Sequence, residues 1–194
     1  MARNLGKILI TILIVVVMVS SIIGFVFSDI SMGGQNTNSL SYNGYTFTQS
    51  NTGVEMKLNG QTLAFSYLPS QVDFIPLNGT VLEPLTATRM AYITSDANST
   101  NAIAMGGFTY TVSEALKAKG SFGVQAFIAS NAFSKPVVTC LNATKFVPVI
   151  LVQDSFNTTE IYLENNCIIV NATSSIDIER LGDRLSYGIL GVIE

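Results

Sequence analysis

Between Ile8 and Phe27 lie twenty consecutive residues without a charge, ILITILIVVVMVSSIIGFVF. A helix of that length rises about 30 Å, the thickness of a bilayer's hydrocarbon core, so the run predicts a transmembrane helix through residues 8–27. Arg3, Lys7 and the amino terminus precede it, and the first charge after it is Asp29. Positive flanks stay inside, so the expected topology is single-pass in the cell membrane, with a cytoplasmic N-terminus and residues 28–194 extracytoplasmic. A cleaved secretory signal is the competing reading, with an apolar region over Ile8–Met18 and a small-residue site at Val19 and Ser21. The apolar run continues six residues past Ser21, which favours a retained signal-anchor. A pilin-type leader does not fit, because Gly6 precedes Lys7 instead of following a basic residue.

Residues 1–7 then form a cytoplasmic tail and 28–43 a flexible tether rich in Ser, Gly and Asn. Residues 44–194 are long enough to bury the core of one extracytoplasmic α+β domain. Its first part reads as an antiparallel β-meander. Asn59-Gly60 is a strong two-residue hairpin signal, pairing Leu58 with Gln61, Met56 with Leu63 and Val54 with Phe65. A second turn over Ser50–Gly53 sets Phe47 beside Met56 and Tyr45 beside Leu58. Tyr45, Phe47, Val54, Met56, Leu58, Leu63, Phe65 and Tyr67 thereby share one face.

From Arg89 the pattern becomes mixed α/β. Strands are expected at Met90–Thr94, Val124–Ala129, Val137–Thr139 and Val147–Val152, and a β-rich stretch at Thr159–Val170. Met105, Phe108, Val112, Ala115 and Leu116 follow helical spacing up to Gly120. The C-terminal amphipathic helix begins at a Ser174 or Ser175 cap and ends at Gly191, with Ile178, Leu181, Leu185, Ile189 and Val192 as its buried stripe. Asp177, Glu179, Arg180, Asp183 and Arg184 are assigned to a solvated face, with i,i+3 pairs from Asp177 to Arg180 and from Arg180 to Asp183. Tyr187 and Leu190 point away from the stripe and are read as a partner surface.

Chemistry is limited by what is missing. The chain has no histidine, which removes Ser-His-Asp and Cys-His nucleophile pairs and every His-ligated metal. Its 13 carboxylates include no recognisable acid-base frame, and Asp154, Glu160 and Glu164 read as turn and strand-edge residues. No catalytic, cofactor-binding or metal-binding set is expected, and a non-enzymatic role follows. Only ten basic residues against that acidic balance give no patch for a run of phosphates, so nucleic acid is not an expected partner.

Two cysteines, Cys140 and Cys167, fall on the outer side, where one disulfide is the simplest pairing and two buried free thiols are the alternative. Closing that loop is worth roughly 3.5 kcal/mol of chain entropy. No Cys-x-x-Cys spacing of a redox pair is present. Asn-x-Ser/Thr occurs at Asn78, Asn98, Asn142, Asn157 and Asn171, all glycosylation candidates on this topology, the alternative being a polar surface without sugar.

Pro136-Val-Val-Thr-Cys140-Leu-Asn-Ala-Thr-Lys-Phe-Val-Pro148-Val-Ile150, Asn166-Cys167-Ile-Ile-Val170 and Asp183-Arg184-Leu-Ser-Tyr187-Gly-Ile-Leu-Gly191 together resemble uncharacterised single-pass membrane proteins of small archaeal genomes. That resemblance covers mainly residues 89–194 and implies no activity. Within it, residues 136–191 are similar to the C-terminal half of a thioredoxin-like fold, in which a cis-proline precedes a strand as Pro148 does here. The expected function is a membrane-anchored extracytoplasmic binding or structural component of the cell envelope or of a membrane complex, with an unidentified protein partner. Thiol handling through Cys140 and Cys167 is one alternative. An extracytoplasmic ligand binder, which requires a pocket near the strand ends, is another.

Overall fold

Two Asn-Gly pairs shape the first sheet. In a computed structural model, which describes residues 38–193 apart from 52, 78, 87 and 131, Asn59 and Gly60 take φ of 51° and 80°, and Asn43 and Gly44 take 47° and 81°. Positive φ at both central residues defines the type I′ turn, whose twist matches that of paired strands. Four strands result, β1 (Asn38–Tyr42), β2 (Tyr45–Ser50), β3 (Gly53–Leu58) and β4 (Gln61–Phe65), in the order β1-β2-β3-β4. Met56 faces Leu63, Val54 faces Phe65 and Phe47 faces Met56, in the register expected from the turns. Phe47, Val54, Met56, Leu63 and Phe65 are buried on the inner face.

The tether expected through Asn43 is corrected here, because residues 38–42 are strand. The first Asn-Gly turn folds them back so that Leu40 pairs with Phe47 and Tyr42 with Tyr45. Residues 8–27 lie outside the described residues. Among those described, no helix is long and apolar enough to cross a membrane.

A second sheet carries β5 (Met90–Ser95), β6 (Phe122–Phe127), β7 (Val149–Asp154), β8 (Glu160–Glu164) and β9 (Cys167–Ala172), ordered β6-β5-β7-β9-β8. All neighbours run parallel except β8, which pairs antiparallel with β9. Three helices complete the α+β domain: α1 (Gly79–Thr86), α2 (Ala102–Ala118) and α3 (Ser175–Leu190). No element was expected where α1 lies. The β5-α2-β6 crossover places β6 on one side of β5, and the chain then returns to lay β7 on the other.

Alternation along the central strands sorts their side chains. Ile93, Ile150, Val152, Ile168 and Val170 join the main core with α2 and α3. Ala126, Val149, Cys167 and Ile169 form a smaller core on the opposite face, together with Val138 and Cys140. The expected strand at Val137–Thr139 is only an isolated bridge from Val137 to Phe127. Pro136 has no N–H to extend a ladder, and the chain turns at once into a short 3₁₀ turn at Cys140–Asn142. There is no cis peptide bond among the described residues, so Pro148 follows a trans bond.

Serine 174 caps α3 through a hydrogen bond from the Asp177 amide at 3.2 Å. Gly191 closes the other end at φ 77°, where the Val192 amide reaches back to the Tyr187 carbonyl. Ile178, Leu181, Leu185 and Val192 are buried as expected, and Ile189 is half-buried. The other side of this helix differs from its expected state. Tyr187 and Leu190 are buried at 0 % and 2 % exposure, and Asp183 and Arg184 at 2 % each, so neither the partner surface nor the continuous solvated face exists. The first sheet is the cause: Phe47 meets the Tyr187 ring edge-on at 5.8 Å and Phe65 lies 4.4 Å from it. With the second sheet and α2 packed against its other faces, α3 is covered all round along its C-terminal half.

Candidate functional site

Burying the two charged residues of α3 demands partners, and each finds backbone. Asp183 Oδ2 accepts the amides of Ser66 and Tyr67, at 2.9 and 2.7 Å, where the chain leaves β4. Arg184 donates from Nε to the Ile75 carbonyl at 2.9 Å, and Tyr187 donates its hydroxyl to the Tyr67 carbonyl at 2.6 Å. One helix thus pins the first part of the segment that joins the two sheets, from Ser66 to Ile75. The expected Arg180 to Asp183 pair is not formed. The expected Asp177 to Arg180 pair is formed, at 3.9 Å, and Arg180 lies over the Tyr67 ring.

Burial pushes the Asp183 carboxyl up to about 7, against the pull of the Tyr67 and Ser66 amides, and the nearby Glu179 charge adds to the rise. Burial also lowers the Arg184 guanidinium from its usual value, with Asp73 and Tyr42 opposing, and raises the Tyr187 phenol. Asp177 behaves differently. The Thr173 hydroxyl, followed in effect by those of Ser174 and Thr159, holds its carboxyl below the usual range despite partial burial.

Asp183 also lines a cleft of about 520 Å³ between the N-terminal halves of α2 and α3. Both helices follow the C-terminal ends of parallel strands, so their first turns lie at the same edge of the sheet. In open α/β sheets that edge, where successive crossovers diverge, forms a natural crevice. Divergence here occurs between β5 and β7. Asp154, the last residue of β7, accepts hydrogen bonds from Ser99 Oγ at 2.6 Å and Asn101 Nδ2 at 2.8 Å, tying down the loop that leads into α2. Thr100 and Asn101 from that loop, Thr111 on α2, Ser66 after β4, and Ser175 and Glu179 on α3 give the cleft its polar lining. Ile103, Ala104, Gly107 and Phe108 give it an apolar wall. No group of three or more Asp, Glu, Cys or His residues able to hold a metal occurs among the described residues.

Cys140 and Cys167 form the expected disulfide, which fastens the 3₁₀ turn to β9 on the face of the sheet away from the cleft. Asn98 and Asn157 are exposed in loops, Asn142 is exposed at the end of the 3₁₀ turn, and Asn78 lies outside the described residues. Asn171 is corrected as a glycosylation candidate. It is buried within β9, accepts from Gln153 and donates to Glu160 at 2.9 and 3.3 Å, and leaves no room for a sugar.

Sequence reasoning missed the cleft residues because they come from three stretches far apart in the chain, around Ser66, Thr100–Thr111 and Ser175–Asp183. A signal that could have found part of them is the Asp96–Asn101 loop, a Ser/Thr/Asn-rich turn between a buried strand and a helix. No family model matches the chain, nor does any curated protein or solved structure.

Proposed function

We propose that this chain is a membrane-anchored extracytoplasmic binding protein, held in the bilayer by residues 8–27 with its N-terminus in the cytoplasm. In this reading the α+β domain presents a cleft to a small polar ligand, and the protein belongs with the single-pass archaeal membrane proteins it resembles. The cleft carries the proposal. Its volume falls within the range of small-molecule sites, it sits at the strand ends, and convergent polar groups line one side against an apolar wall. The disulfide supports an oxidising compartment.

Two measurements test it. With both native cysteines in the disulfide, Ser31→Cys supplies a single reporter thiol; it should label with an impermeant maleimide on intact cells, and a thiol reached only after lysis would place the domain inside. Gly107 lines the cleft with open space beyond its Cα, so Gly107→Leu should occlude it. Ligand-observed NMR of the full chain against a library of small polar fragments should find binders that this variant loses.

A second reading, as a structural component of a membrane complex, is favoured by Phe133, Leu141 and Phe146, which are exposed around the disulfide-fastened turn. Crosslinking in the native membrane, followed by identification of co-purified chains, tests it. Substituting all three by Ser should abolish such capture.

A further inference from the structure

Glu179 and Asp183 stand one helical turn apart on α3, and both line the cleft. Neither is in an ion pair among the described residues, and no lysine or arginine lines the site. Although Asp183 is 2 % exposed, a single oxygen, Oδ2, takes both of its hydrogen bonds; Oδ1 takes none among the described residues. A buried carboxylate without a counter-charge is costly, and such a group on a cavity wall beside a second carboxylate is set to receive a cation from outside.

The lining distinguishes among cations. Calcium takes six to eight oxygens, and only two carboxylates converge here. An ammonium group needs three acceptors, which Glu179, Asp183 Oδ1 and a hydroxyl from Ser66 or Thr111 can supply. Across from them, Ala104, Gly107 and Phe108 form a strip suited to a short hydrocarbon stem.

We propose that the cleft binds a small aliphatic primary amine, with its ammonium held between Glu179 and Asp183 and its stem against α2. This rests on the reading of the cleft as a ligand site. Asp183 meets Glu179 and Tyr187 from its own helix and the Ser66 and Tyr67 amides from the segment after β4, and every residue that α2 contributes to the cleft is uncharged. Its ionised form is the one that attracts the amine, so affinity rises with pH through about 7.

The test is calorimetric titration of the full chain, in nanodiscs of uncharged lipid at about pH 8, with 1,4-diaminobutane, its neutral counterpart 1,4-butanediol, and calcium chloride. The diamine should bind about tenfold or more tightly than the diol, and Glu179→Gln and Asp183→Asn should each weaken it by a similar factor. Glu179 is exposed, and asparagine at 183 retains an oxygen for the two amides, so both variants should fold. Equal binding of diol and diamine overturns the charge assignment and leaves a ligand cleft standing. Calcium that binds first and displaces the diamine overturns it in favour of a metal. Diamine binding insensitive to both substitutions places the amine elsewhere and overturns it, as does absence of diamine binding; the Gly107→Leu fragment comparison reports separately on the cleft.

Discussion

The two long helices invert what their compositions suggest. α2 carries only Glu114 and Lys117 as charged residues yet leaves Ile103 and Tyr110 in solvent, with Gly106 and Gly107 bare on its surface. Five charges punctuate α3, yet its C-terminal half is the most enclosed helical segment of the domain. Position in the layers decides this. α2 packs mainly on α3 and the second sheet, whereas α3 lies between that sheet, α2 and the inner face of the meander. Charge in a helix is therefore a poor guide to depth when backbone groups from other segments stand ready to accept or donate.

Truncation should expose the contrast most strongly. Tyr187→Ala removes a fully buried ring packed on Phe47 and Phe65 and strands the Tyr67 carbonyl. It should cost about 5 kcal/mol in urea-unfolding experiments, whereas Tyr110→Ala on the exposed side of α2 should cost less than about 0.5 kcal/mol. Similar costs for the two would show that α3 is not enclosed.

Asp183 sharpens the comparison through pH. Its folded-state carboxyl titrates at about 7, against an ordinary value of 3.8. Between those values the folded chain holds a proton that the unfolded chain has released. The contribution of this group to stability is therefore full below about pH 4, falls as pH rises through about 7, and levels off above; the loss from Asp183 alone is up to about 4 kcal/mol. Asp183→Asn should flatten this slope and raise the melting temperature at about pH 8 while weakening amine binding, the signature of a residue kept at a cost to stability. If the variant melts lower at that pH, the carboxylate is a structural cap alone.

Glycine gives the smallest effects, with opposite signs in the two helices. A Cβ at Gly188 on α3 would come within 2.6 Å of Leu77 Cδ2 and 3.1 Å of a Leu82 methyl, so Gly188→Ala should destabilise by about 1–3 kcal/mol. At Gly106 on α2 a Cβ meets nothing within 4 Å, and Gly106→Ala should stabilise by about 0.5–1 kcal/mol through helix propensity. Thermal melts of the two variants side by side check both signs.

Legibility in the sequence followed the range of the interactions. The Asn59-Gly60 turn and its register could be read because turn chemistry and side-chain alternation are local. The Asn43-Gly44 turn carries the same local signal, but Ser39 and Ser41 give β1 the composition of a tether. The cap at Ser174, the stop at Gly191 and the stripe through Leu181 and Leu185 were likewise local signals. Asn171 passed as a glycosylation site because its sequon says nothing of Gln153 and Glu160, which the sheet brings alongside. Asp183 passed as a solvated charge because the amides it holds lie 117 and 116 residues earlier.

By itself, the chain's order of residues determined where the C-terminal helix begins and ends, the registers of the meander's two central hairpins, and which two cysteines were available to pair. Those outcomes depend on backbone preferences and on neighbours a few residues apart. Only the tertiary structure decided that α3 is enclosed, that Tyr187 is core, and that Glu179 and Asp183 share a cleft with α2. Burial depends on which distant surfaces arrive to displace water, and no periodicity along a single helix encodes the layer that will cover its other side.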